Sequence, residues 1–195
     1  DYARRLAMGV LGSGLFSAKH YEDSLSVKES ELSMMRRLGA SERNMLVAQS
    51  NLAATYRMLG RREEALRLWQ DNYTRRSKLS GDEHKETIRE AICYALGLID
   101  ASRFKDAKAL MCKTLPVARR VISESHDLTL RIRKVYARAL FMDASTTLND
   151  LREAVTTLEE TERIARRVLG GAHPIAAEIE GDLQDARDVL KQRSK

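Results

Sequence analysis

Asn51-Leu-Ala-Ala-Thr-Tyr56, followed by Gly60-Arg-Arg-Glu-Glu-Ala65, returns in degraded form about 42 residues later as Cys93-Tyr-Ala-Leu-Gly-Leu98 and Ser102-Arg-Phe-Lys-Asp-Ala107. A fixed period of this length means stacked supersecondary units. Each unit buries its apolar face only against its neighbours. Four loops carry the same register: Leu38-Gly-Ala-Ser-Glu42, Ser80-Gly-Asp-Glu-His84, Ile122-Ser-Glu-Ser-His126 and Leu169-Gly-Gly-Ala-His173. The last interval is longer, and Asp143-Ala-Ser-Thr-Thr-Leu-Asn-Asp150 reads as the insertion, a widened turn inside one helical pair.

Each unit divides into two helices. In 44–59, Leu46, Val47, Leu52, Ala53, Tyr56 and Leu59 recur at helical spacing, and Gly60 supplies the left-handed residue that ends the helix. A second helix over 62–79 carries Ala65, Leu66, Leu68, Trp69 and Tyr73, with Trp69 and Tyr73 expected in the inter-helix core. The same reading gives helix pairs near 85–101 and 104–122, then 128–142 and 151–169. Before these, a second helix over 21–38 is clear. The first helix near 2–16 is weakened by Gly9, Gly12 and Gly14 and is expected to fray or to lack a supporting neighbour. Pro174 opens a final, highly charged helix through about 191. Pro116 inside 104–122 predicts a kink or a new short helix. The expectation is therefore an all-α, right-handed solenoid of four helix pairs, in units of about 1–42, 43–84, 85–126 and 127–173, with a capping helix over 174–192.

The 195 residues are 43% hydrophobic and 32% charged, with two prolines, a balance that suits packed helices with solvated outer faces. A net charge of +6 favours acidic partners but is too small to indicate nucleic acid. Cys93 and Cys112 form no zinc or redox spacing, so a reduced, cytoplasmic setting is expected. No apolar run reaches a membrane-spanning length. Because the chain opens on Asp1, it reads as part of a longer protein. His84, His126 and His173 hold one position in successive loops. Helix pairs stack about 10 Å apart, too far for a shared metal, so the histidines are expected to serve turn formation and helix starts.

The pattern Asn-Leu-Ala-x-x-Tyr, Gly-x-x-x-Glu-Ala and Leu-Gly-x-x-His-Pro resembles the tetratricopeptide repeat, and most closely its longer form found in kinesin light chains. Asn51–Tyr56, Gly60–Ala65 and Leu169–Pro174 carry the resemblance. Cys93-Tyr-Ala95 and Val135-Tyr-Ala137 depart from it, which marks a divergent member. The resemblance implies that the first helices line a concave, peptide-binding groove.

In that register the inward positions include Val47, Ser50, Asn51, Ala54, Arg57 and Met58, then Arg89, Ile92, Cys93, Leu96, Ile99 and Asp100, then Arg131, Lys134, Val135, Arg138, Phe141 and Met142. The expected peptide-binding residues are Asn51, Arg57, Arg89, Arg131, Lys134 and Arg138. The arginines would grip carboxylates, and Asn51 would bond an extended backbone. Ile92, Leu96, Phe141 and Met142 would supply apolar pockets. The expected function is binding of an extended, acidic protein or peptide segment, with no cofactor and no metal. A structural scaffold or oligomerisation array is the alternative, with self-association through the glycine-rich first unit. No paired carboxylates, nucleophile–base set or phosphate loop point to an enzyme.

Overall fold

The computed structural model describes residues 2–194. Among them the chain is helical throughout, without a strand: α1 (Tyr2–Ser17), α2 (Tyr21–Arg37), α3 (Glu42–Met58), α4 (Arg62–Ser80), α5 (Lys85–Asp100), α6 (Phe104–Val121), α7 (Asp127–Phe141), α8 (Leu148–Leu169) and α9 (Pro174–Arg193). The helices form two compact units, 1–79 and 80–195.

The repeat shows directly in the backbone. Lys19, Gly60 and Ser102 end first helices with φ of 64°, 75° and 58°. Gly39, Gly81, Ser123 and Gly170 turn the chain after second helices with φ between 62° and 111°. Left-handed conformations at these points redirect the chain without a long loop. In the hairpin of α7 and α8 the insertion replaces the tight turn. Asp143 accepts from the Ser145 amide and hydroxyl, and Thr147 and Asp150 form a reciprocal capping box that starts α8 at Leu148, earlier than expected.

In the first unit α1 packs on α2 and α2 on α3. Leu25, Leu32, Met35, Ala48 and Leu52 form the core of the α2–α3 contact. Asn72 of α4 donates to the Leu46 carbonyl of α3 at 3.0 Å. Trp69 is buried, as its helical position predicts, and Tyr73 is half-buried. Helix α1 is continuous from Tyr2 to Ser17, and its glycines bring it close to α2. A Cβ on Gly9 would stand 3.0 Å from Glu31, and one on Gly12 would stand 3.1 Å from the Lys28 stem. Ser24 also donates to the Gly12 carbonyl at 2.8 Å.

In the second unit α7 is the central element. It packs on α5, α6, α8 and α9. Its core joins Leu130, Ala137, Leu140 and Phe141 to Leu151, Leu158, Ile175, Ile179 and Leu183. Small residues at Ala137, Ala154, Ala165 and Ala186, all fully buried, permit the close helix approach. Pro116 does not start a new helix, since α6 runs through it from Phe104 to Val121.

Candidate first-helix interface

The first helices carry one repeating register, in which Val47, Asn51, Ala54 and Met58 of α3 correspond to Arg89, Cys93, Leu96 and Asp100 of α5 and to Arg131, Val135, Arg138 and Met142 of α7. In the first unit this strip stays open. Val47 is 48% exposed and Met58 is 45% exposed, with exposed Asn51 between them. Arg57 is half-buried beside the strip.

The backbone beneath Asn51 is fixed from below. Lys28 of α2 is buried and donates to the Asn51 carbonyl at 3.2 Å and to the Thr55 hydroxyl at 2.8 Å. The Thr55 hydroxyl donates to the same carbonyl at 3.1 Å. The ammonium also lies 4.5 Å from the centre of the Phe16 ring. Burial lowers the Lys28 pKa, against the opposing pull of Glu31. The Asn51 side chain is thus presented outward by a helix whose carbonyl is already occupied.

In the second unit the cations divide. Arg89 is exposed, and its contact is with Glu86 one turn earlier at 3.3 Å. Arg131 is half-buried. Lys134 is buried and donates to Glu178 of α9. Arg138 directs its Nε toward Asp182 of α9 at 3.8 Å, beyond hydrogen-bond reach, and its Nη2 lies 3.9 Å from the Met142 sulfur. Arg138 Nε and Asp182 Oδ2 are both buried without a hydrogen-bond partner. Burial pushes the Asp182 carboxyl above its usual range, against the attraction of Arg138 and Lys134. Burial also pushes Glu178 upward, but the Lys134 bond and the charges of Arg131 and Arg138 outweigh it and hold the carboxyl low.

The expected apolar pockets are only partly present. Ile92, Ile99, Val135 and Phe141 are buried core residues, so the inward register in α5 and α7 is narrower than the sequence reading gave. Leu96 is half-buried and Met142 is 41% exposed. Sequence reasoning also missed Arg133, which is buried and joins Glu124 to Glu160 with 2.6 Å contacts to each. Its neighbour Lys134 is equally charged, and nothing in the local pattern separates the two roles.

His84, His126 and His173 each cap the helix that follows, their Nδ1 atoms accepting from the amides of Glu86, Leu128 and Ile175 at 3.2, 3.1 and 3.2 Å. Among the described residues no group of His, Cys, Asp and Glu is arranged to hold a metal ion. Among the described residues no helix is long and apolar enough to cross a membrane.

Residues 45–86 match the tetratricopeptide repeat family model. No curated protein matches the chain. Among solved structures, a variant of a Podosopora anserina putative kinesin light chain with nearly identical TPR-like repeats aligns over 100% of this chain and 90% of its own, with a TM-score of 0.78 at 19% identity. BtubC (BKLC) from P. vanneervenii aligns over 96% of this chain and 77% of its own, with a TM-score of 0.70 at 14% identity. The Rap conjugation gene regulator of plasmid pLS20, solved in complex with the Phr* peptide, aligns over 94% of this chain and 52% of its own, with a TM-score of 0.60 at 14% identity.

Proposed function

We propose that this divergent tetratricopeptide-repeat array is a protein-interaction module that binds an extended acidic segment on the exposed faces of its first helices. One observation carries the reading. The strip of Val47, Asn51 and Met58 remains open beside the buried Leu46, Ala48, Leu52 and Thr55 of α3, and Arg89 stands exposed at the position equivalent to Val47. An open strip of apolar side chains around one amide suits an extended backbone with small apolar contacts. Within the second unit, Arg89, Arg131 and the outer part of Arg138 offer carboxylates their counter-charges; in the first unit, taken by itself, Arg57 lies beside the strip. Lys134 contributes through Glu178, as part of the surface rather than as a ligand contact. The peptide held by the pLS20 regulator, which shares this fold, supports peptide capture as the general mode.

Titration of a short, fluorescently labelled Glu/Asp-rich peptide tests the reading, with a Gln/Asn counterpart as the control. The acidic peptide binds in preference, and added salt weakens it. Arg89→Glu with Arg131→Glu lowers affinity by about tenfold at low salt. Equal binding of the two peptides, or an unaffected double variant, removes the acidic assignment.

A scaffold role is the second reading, favoured by a separate observation. On α1, Leu6, Val10 and Leu11 are 54%, 67% and 53% exposed. Leu11 aligns with Leu52, which in α3 is buried against the preceding second helix. A stable dimer in light scattering, dispersed by Leu11→Lys, supports this role, and a monomer at all concentrations counts against it.

A further inference from the structure

The three histidine caps share a chemical requirement. Nδ1 accepts a backbone N–H only when it carries no proton, so the rings of His84 and His173 act as the neutral Nε2–H tautomer. A protonated ring turns a donor toward a donor and places a positive charge at the positive end of a helix. The caps differ in their surroundings. His126 alone has a carboxylate in contact among the described residues, with Asp127 Oδ1 2.6 Å from its Nδ1. The other charges around the three caps are already committed. Near His84, Asp82 pairs with Lys113 of α6, Glu83 with Arg120 of α6, and Glu86 with Arg89. Near His126, Glu124 is held by Arg119 of α6 and Arg133 of α7. At the His173 loop the facing group is a cation, Arg166 of α8, whose Nη1 would lie 3.4 Å from a Cβ on Gly171 and which pairs with Glu162 and Glu180.

We infer that His84 and His173 are proton-released helix caps: a proton on Nδ1 removes the acceptor, and the starts of α5 and α9 loosen while Asp127 keeps α7 in place. On protonation His126 exchanges its helix amide for the Asp127 carboxylate, so the lost cap is offset by an ion pair. His84 and His173 have no such exchange. The two released helices bear Arg89 and Glu178, each five residues beyond its cap, so acid acts on the element that presents Arg89 and on the one that clamps Lys134.

Hydrogen exchange of the intact chain at pH 7.5 and 5.5, corrected for intrinsic exchange, tests this. At the lower pH the first turns of α5 and α9 lose protection about fivefold, the usual weight of an N-cap. The start of α7, and α6 and α8, which have no histidine cap, change little. His84→Asn keeps an accepting side chain that cannot titrate, and it abolishes the loss in α5 alone. His173→Asn does the same for α9. His20→Asn, at a helix start where the ring makes no cap bond, has no effect. A loss that survives these substitutions, a loss equal in α6 and α8, or no loss in the native chain overturns the inference.

Discussion

Lys134 of α7 and Glu178 of α9 form an ion pair across 44 residues of sequence, and the two ends of the pair are unequally placed. The lysine side chain is 8% exposed and the glutamate 47%. Glu178→Ala leaves a buried ammonium without its acceptor and costs about 1–3 kcal/mol. Lys134→Met fills similar volume and leaves only a half-exposed carboxylate, so it costs much less. Urea unfolding of the two variants checks the order. Lys134→Met also leaves acidic-peptide affinity nearly unchanged, unlike substitution at Arg89. If Lys134→Met is the more damaging of the two, the ammonium is not the dependent partner.

Two glycines of α1 give opposite results on substitution. Nothing lies within 4 Å of a Cβ on Gly14, so Gly14→Ala gains helix propensity and stabilises by about 0.5–1 kcal/mol. On Gly12 the same methyl meets Lys28 at 3.1 Å and Val27 at 3.5 Å. That crowding displaces the lysine from Thr55 and Asn51, so Gly12→Ala loses stability despite the same gain in propensity. Circular dichroism melts of the two variants separate these effects. A stabilising Gly12→Ala would mean that α1 does not rely on close approach.

Asp182 gives a pH dependence of definite sign. Its folded carboxyl titrates above the unfolded value because burial disfavours the charge. The folded state therefore binds more protons than the unfolded state between those two values. This residue's contribution becomes more favourable as pH falls through the folded value toward about 3.9. Asp182→Asn removes that slope, and its stability relative to the native chain is greater at pH 7 than at pH 4. Glu178 runs the other way. Its lowered carboxyl contributes above the unfolded value of about 4.3, and the contribution is lost on further acidification. Paired denaturation curves of Asp182→Asn and Glu178→Gln at the two pH values read both signs. Parallel behaviour would refute the assignment.

The repeat, most of its helix boundaries and its histidine-led helix starts were legible in the sequence because they are local. A left-handed turn needs Gly60 or a tolerant residue at the equivalent Ser102, and an N-cap needs an acceptor such as Ser41 or His84. These requirements act within a few residues and repeat with the chain. The spacing of Val47, Asn51 and Met58 was legible for the same reason, and all three are exposed. Tertiary structure decided what each charged or apolar side chain on α5 and α7 meets. Arg131, Lys134 and Arg138 are alike in charge, yet only Lys134 is buried on Glu178, and Phe141 faces the core while Met142 faces out. One helical position is 100° of rotation, so a small change in how α9 seats on α7 determines which residue is covered. That seating depends on Ile175, Ile179 and Leu183, far along the chain, and no local pattern around α7 contains it.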